Sequence, residues 1–86
     1  MANYKILIKP SAVKEINRLP KKDVQRIISK IRLLSKEPRP SGCEKLSAQE
    51  RYRIRQGNYR IVYSIEDDRL IVYVIKIAHR SEVYKK

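Results

Sequence analysis

Four segments of the chain are predicted to be β-strands, because apolar residues alternate with polar ones in the first, a period typical of half-buried strands, and the other three are strand-like apolar runs. The four segments are residues 3–9, 52–56, 59–66 and 69–78. Gly57 and Asn58 separate the second segment from the third. A two-residue turn with glycine first is what a type II′ β-hairpin requires, so the sequence predicts a hairpin here.

Two helices are predicted between the first strand and the hairpin. The first begins at Pro10, since proline is favoured in the first turn of a helix, and ends at Pro20. The second covers residues 21–36 and ends before Pro38. Its apolar residues recur at helical spacing and form one stripe, with lysines and arginines lying off it. The stripe consists of Val24, Ile27, Ile28, Ile31 and Leu34.

The order of these elements indicates an α+β fold. An N-terminal strand precedes a two-helix hairpin, which is predicted to pack on one face of a mainly antiparallel four-stranded sheet. Residues 38–47 are predicted to form a loop, and a short tail or helix is expected to close the chain. With 86 residues the chain is long enough for one domain and too short for two, so residues 1–86 are predicted to form a single domain.

A large excess of positive charge narrows the choice of partner. The chain has 21 Lys and Arg against 9 Asp and Glu, a net charge of +12. Such a field attracts polyanions, and nucleic acid is the first candidate. The longest apolar run, residues 70–75, is too short to span a bilayer, and no signal-peptide pattern is present, so a cytoplasmic protein without membrane contact is expected. One cysteine, Cys43, excludes an internal disulfide, and with one histidine it argues against a zinc site.

The predicted hairpin brings arginines together. If Gly57 and Asn58 form the loop, Arg55 faces Arg60 across the strand pair, and Arg53 shares their face. Like charges directly opposite each other destabilise a sheet unless an anion is present, and guanidinium groups suit phosphate. A solvated sheet face is the alternative, but three arginines on one short hairpin favour an anion site on a wet face. The other face is apolar and should meet the helices; it carries Tyr52, Ile54, Tyr59, Ile61, Tyr63 and Ile65.

The C-terminal residues His79, Arg80 and Tyr84 follow the last predicted strand directly. Position alone does not distinguish a functional role from an ordinary one. In the ordinary role, Tyr84 would pack its ring, Arg80 would be a surface cation, and His79 would cap a carbonyl. Residue chemistry leaves both interpretations open.

The segment YRIRQGNYRIVY, residues 52–63, together with HRSEVY, residues 79–84, resembles the RelE/ParE superfamily of toxin–antitoxin toxins, and the closing run is similar to the RelE branch. The resemblance implies a compact α+β domain that cleaves messenger RNA in the ribosomal A site without a metal or other cofactor. It also implies an acidic, RelB-like antitoxin as partner, which binds and silences the toxin.

The resemblance assigns roles to individual residues. Arg53 and Arg55 match two basic positions on the first hairpin strand, and Arg60 matches the arginine that binds the scissile phosphate. Arg80 matches a C-terminal arginine of the same site, and Tyr84 matches the terminal tyrosine that stacks on or orients the substrate. Further contacts with RNA are expected from Lys45, Arg51 and Lys85.

The expected reaction is in-line attack of an RNA 2′-hydroxyl on the adjacent phosphorus, which expels the 5′ oxygen. Arginine does not deprotonate and is a poor general base, so His79 is a candidate acid or base, because histidine is the residue type that changes charge near neutral pH. Slow cleavage without a strong protein base is the alternative. Two other functions stay open: a ParE-like poison of DNA gyrase, which would lack the arginine cluster, and a non-catalytic RNA-binding or ribosome-binding protein.

Overall fold

The computed structural model describes residues 3–46 and 51–79, which form five strands and two helices. Their bounds are β1 Lys5–Ile8, α1 Pro10–Asn17, α2 Lys21–Lys36, β2 Glu44–Leu46, β3 Arg51–Gln56, β4 Tyr59–Glu66 and β5 Ile71–His79. The predicted α+β class is confirmed, as are both helices and the strands on either side of them. The predicted C-terminal tail or helix lies outside the described residues.

The strands form one mainly antiparallel sheet, in the order β1-β5-β4-β3-β2. β1 runs parallel to β5, and every other neighbouring pair is antiparallel. The sheet has five strands rather than the predicted four, because β2 lies inside the segment predicted to be a loop. This strand has only three residues, too few to show an alternating pattern, and it forms by pairing with β3.

Both helices cover the same face of the sheet. The apolar face predicted for the hairpin is confirmed, since five of its six residues are buried and Tyr59 is half buried. The buried aromatic residue Tyr63 satisfies its hydroxyl by donating to the carbonyl of Pro38, at 2.8 Å. The helices contribute Ala12, Ile16, Ile27, Ile31 and Leu34 to this core, and the sheet contributes Tyr52, Ile54, Ile61, Tyr63, Ile65, Val72, Val74 and Ile77.

A polar cluster ties three distant parts of the chain together. Arg39, in the loop after α2, donates to both carboxylate oxygens of Asp67 at 3.2 and 2.8 Å. Asp67 lies in the turn between β4 and β5, and it also accepts a hydrogen bond from the hydroxyl of Tyr4 at 2.7 Å. The hydrogen bonds from Arg39 are the largest cause, followed by the one from Tyr4, and together they lower the pKa of Asp67 to about 2. The cluster therefore holds the loop against the sheet.

A β-bulge interrupts the pairing of β4 with β5. Val62 pairs with Lys76, but the next residue, Tyr63, pairs with Val74. Ile75 is therefore an extra residue on β5, and every β5 residue after it is shifted by one relative to β4. Because side chains alternate along a strand, this shift decides which face each of the last β5 residues occupies.

Within the described part of the chain, no strand pairs with the outer edge of the last part of β5, because β1 ends at Ile8, opposite Val74. Helix α1 covers this edge instead. Its Glu15 carboxylate accepts a hydrogen bond from the backbone N–H of Ile77 at 2.8 Å. The described residues include no helix long and apolar enough to cross a membrane.

Candidate functional site

The β3–β4 hairpin brings three arginines to the face of the sheet that the helices leave uncovered. The predicted register is confirmed. Arg55 lies directly opposite Arg60, and Arg53 precedes Arg55 by two residues on β3. Gly57 adopts a positive φ of 61°, as the first position of a type II′ turn requires, whereas Asn58 does not have a positive φ. A two-residue turn of fixed geometry therefore sets the arginine cluster.

These side chains line a cleft of about 260 Å³. Its walls are Gly42, Glu44, Arg53, Arg55 and Arg60. Three guanidinium groups around one cleft offer many forked donors that cannot lose their charge. A cleft with these properties suits a tetrahedral anion such as phosphate better than an apolar ligand.

Arg60 is buried, with 7% of its surface exposed, whereas Arg55 is exposed. The prediction that this whole face is wet is therefore wrong at Arg60. The reason is position: β4 is an inner strand, and Arg60 is flanked by Arg55 on β3 and by Ala78 on β5. The charge of Arg60 lies directly opposite that of Arg55, and an anion bound between the two guanidinium groups would offset their repulsion.

A carboxylate that the sequence did not reveal also lines the cleft. Glu44 pairs with Arg53 across β2 and β3, and its carboxylate accepts a hydrogen bond from the Arg53 Nε at 3.0 Å. Hydrogen bonding from Arg53 and then its charge lower the pKa of Glu44, and the charges of Arg60 and Arg55 add to this effect. Glu44 is therefore ionised at neutral pH and lies within the field of all three arginines.

The other predicted site residues lie apart from the cleft or outside the described residues. Lys45 is exposed but pairs with Tyr52, so it shares the opposite face from Arg53. Arg51 is exposed and shares the arginine face, two residues beyond Arg53 on β3. Three predicted residues, Arg80, Tyr84 and Lys85, are not among the described residues.

His79 lies on the helix-covered face, so the structure does not place it with the arginines as a candidate acid or base. It pairs with Tyr59, and the two rings meet edge to face at 5.1 Å and 83°. The cause is the β-bulge at Ile75. If the register next to the β4–β5 turn continued without the bulge, Tyr59 would pair with Ala78. His79 would then lie on the face of Arg60.

The sequence does carry a signal for this bulge. The β5 residues buried on the helix-covered face are Val72, Val74 and Ile77, so the spacing of two changes to three, whereas the buried Ala78 lies on the face of Arg60. Strict alternation would instead place Lys76 in the core. The basic residue at 76 and the apolar residue at 77 therefore indicate an extra residue before Lys76. For Glu44 no comparable signal exists, because β2 is too short to show a pattern.

The chemical capacity of the cleft follows from its residues. Among the residues that the structure describes, no group of three or more His, Cys, Asp or Glu side chains is arranged to hold a metal ion. The cleft instead provides arginine cations for a phosphate and one carboxylate as a proton acceptor. Such preorganised charges can stabilise a phosphoryl transition state directly.

Comparison with known proteins identifies the family. A family model described as the ParE toxin of the type II toxin–antitoxin system parDE matches residues 6–84. Toxin RelE of Mycobacterium tuberculosis (strain ATCC 25618 / H37Rv) is 30% identical over 84 residues, which covers 95% of this chain and 87% of that protein.

Solved structures agree with this result. The archaeal RelE–RelB complex from Pyrococcus horikoshii OT3 contains a chain that matches with a TM-score of 0.83 and 28% identity, over 91% of this chain and 96% of that one. The isolated E. coli RelE toxin matches with a TM-score of 0.78 and 29% identity, over 94% of this chain and 90% of that one. The described fold is thus shared with toxins crystallised both alone and with an antitoxin.

Proposed function

The chain belongs to the RelE/ParE superfamily of type II toxin–antitoxin toxins, and we propose that it is an endoribonuclease that cleaves messenger RNA in the ribosomal A site. Cleavage there would inhibit translation. The observation that carries the proposal is the buried Arg60 beside Arg55 in a cleft open to solvent. The two like charges repel each other across the strand pair, and a bound phosphodiester would offset that repulsion.

The cleft suits a phosphate undergoing in-line displacement. The 2′-hydroxyl oxygen forms a bond to phosphorus while the bond to the 5′ oxygen breaks, leaving a 2′,3′-cyclic phosphate. Negative charge rearranges on the non-bridging oxygens, and Arg55 and Arg60 stabilise it through forked hydrogen bonds. Because arginine supplies this charge stabilisation, the reaction is proposed to need no metal.

Glu44 is the proposed acceptor of the 2′-hydroxyl proton. It is the one carboxylate among the described residues that line the cleft, and it is ionised at neutral pH. Its lowered pKa makes it a weak base, which fits slow cleavage on a substrate that the ribosome holds in place. Water is proposed to protonate the leaving 5′ oxygen. This assignment replaces His79, which lies on the other face of the sheet.

The remaining predicted contacts keep their proposed roles. Arg80 is expected to contact the same phosphate, and the ring of Tyr84 is expected to stack on a substrate base, as aromatic side chains do on unpaired RNA. Lys45, Arg51 and Lys85 are proposed to meet RNA backbone phosphates. For Lys45 the partner would approach from the side opposite the cleft, because this residue shares the face of Tyr52.

An acidic, RelB-like antitoxin is the proposed protein partner. Several structures with the same fold are described as RelE–RelB complexes, and a chain of net charge +12 is complementary to an acidic protein. The antitoxin is expected to cover the arginine cleft. The purified complex should therefore lose the cleavage activity of the free toxin.

A ParE-like poison of DNA gyrase is the second candidate, favoured by the family model that matches the chain. One pair of assays separates the two functions. Toxin dialysed against EDTA should cut a ribosome-bound message in a single turnover and should leave DNA supercoiling by gyrase unchanged. Inhibited supercoiling with an intact message would contradict the proposed nuclease.

A further inference from the structure

A second cleft lies on the helix-covered side of the sheet, between α1 and the ends of β4 and β5. Its volume is about 160 Å³, roughly half that of the smallest pockets that hold drug-sized ligands, which is about 300 Å³. A single planar ring system is the size of group that fits. The cleft is lined by Glu15, Arg18, Leu19, Tyr59, Ile77 and His79.

The walls of this second cleft are held in place by their own hydrogen bonds. The hydroxyl of Tyr59 donates to the carboxylate of Asp23 at 2.8 Å, and its ring meets the ring of His79 edge to face at 5.1 Å. One carboxylate oxygen of Glu15 accepts the N–H of Ile77 at 2.8 Å. A site with preset walls loses little conformational freedom when a ligand enters.

The chemistry of these walls matches a nucleobase. Two aromatic rings and Leu19 offer contact to a flat apolar surface. A carboxylate has two oxygens with about four acceptor positions, so Glu15 retains acceptor capacity after binding the Ile77 N–H. Bases that offer adjacent N–H donors would use it best, and guanine offers two on its Watson–Crick edge. Arg18 adds a cation for the sugar–phosphate backbone.

The second cleft and the arginine cleft lie back to back at one end of the sheet. Tyr59 and Arg60 are consecutive on β4, and their paired residues His79 and Ala78 are consecutive on β5. Since side chains alternate along a strand, Tyr59 and His79 face the second cleft, whereas Arg60 and Ala78 face the side of the arginine cleft. An RNA strand passing round this end of the sheet would meet both clefts.

We propose that the cleft formed by Glu15, Arg18, Tyr59 and His79 holds one unpaired nucleobase of the RNA whose phosphate lies on Arg60, and that it prefers guanine. The inference rests on the proposed nuclease function and adds to it a determinant of base preference. It gives His79 a role on the face where the structure places it, as part of a binding wall.

The test measures binding of the full chain to short RNAs that cannot react. The probes are fluorescein-labelled nonamers of 2′-O-methyl uridine, with either uridine or guanosine at the centre, and the readout is fluorescence anisotropy. Since 2′-O-methylation removes the nucleophile, affinity is measured without cleavage. The wild type should bind the guanosine nonamer about tenfold more tightly, the scale of one bidentate base contact.

Three variants identify the source of this preference. Glu15→Gln keeps an acceptor for the Ile77 N–H but removes the charge, and it should reduce the preference to about twofold or less. Glu37→Gln removes the same charge from the exposed end of α2 and should leave the preference unchanged. Arg60→Ala should weaken binding of both nonamers equally and keep their ratio.

The outcomes separate this inference from the proposed function. Equal affinity of the wild type for the two nonamers, or a guanosine preference that survives Glu15→Gln, would overturn the nucleobase site. If Arg60→Ala leaves both affinities unchanged, the arginine cleft is not the phosphate site, and the proposed function fails. If Arg60→Ala weakens binding of both nonamers but the wild type prefers neither of them, the result would support the proposed function and not the nucleobase site.

Discussion

Replacing Arg60 with methionine is expected to stabilise the fold while removing the response to anions. Arg60 is 7% exposed and faces another arginine across the strand pair. Like charges directly opposite each other on neighbouring strands destabilise a sheet, and such cross-strand pairs contribute about 0.2–1 kcal/mol. The attraction of Glu44 offsets part of the repulsion from Arg55. Arg60→Met ends this repulsion and keeps an apolar side chain of similar length in the buried position, so we expect the free energy of unfolding to rise by up to about 1 kcal/mol.

The magnitude is measurable by thermal unfolding, followed by circular dichroism in a chloride buffer. For a domain of this size, a gain of about 1 kcal/mol raises Tm by about 4–8 °C. Added sulfate should stabilise the wild type, by about 1.4 kcal/mol at ten times its Kd, because it binds the folded cleft alone. Arg60→Met should show almost no response to sulfate, since the buried cation is gone.

A matched variant controls for general charge effects, because Arg26→Met removes an exposed arginine from α2. It should change the free energy of unfolding by no more than about 0.5 kcal/mol, as surface substitutions usually do. The reasoning is refuted if Arg60→Met loses more than about 1 kcal/mol in chloride and still responds to sulfate like the wild type.

Three further changes test the rest of the account. Glu44→Gln should tighten binding of unreactive RNA, because it removes a competing negative charge, yet lower single-turnover cleavage by about 10²–10⁴; unchanged cleavage would exclude Glu44 as the base. Tyr63→Phe removes the hydroxyl that donates to the carbonyl of Pro38, and urea unfolding should show a free energy of unfolding lower by about 0.5–1.5 kcal/mol. An unchanged value would mean that this hydrogen bond does not contribute to stability. Asp67 has a pKa of about 2 in the folded chain against an ordinary value of 3.8, so its contribution is present above pH 4 and is lost as the pH falls from 4 towards 2. The difference in Tm between the wild type and Asp67→Asn should shrink over that range, and a constant difference would contradict the role of the Arg39 pair.

Local turn chemistry made the arginine cluster predictable. A two-residue loop starting with Gly57 fixes the register of the hairpin, and the register alone places Arg55 opposite Arg60. Helix periodicity likewise predicted α2 and the stripe that it buries. These features depend on residues close together in the chain, so the sequence pattern is sufficient.

Features that depend on pairing between distant segments were not predictable in the same way. Glu44 reaches the cleft only because a three-residue strand pairs with β3. Arg60 is buried because β4 becomes an inner strand once β3 and β5 are placed beside it. His79 changes face because one extra residue, Ile75, enters β5.

The central claim is that Arg60 acts on the phosphate during cleavage, and single-turnover cleavage of a message on programmed ribosomes tests it most directly. Arg60→Ala should lower the rate by about 10²–10³, the scale of losing one donor to a transition state. Arg26→Ala, which removes an exposed cation from α2, should cut at nearly the wild-type rate. Circular dichroism should show that both variants fold. Equal rates for the wild type and Arg60→Ala would contradict the account, and the chain would then be a binding protein rather than a nuclease.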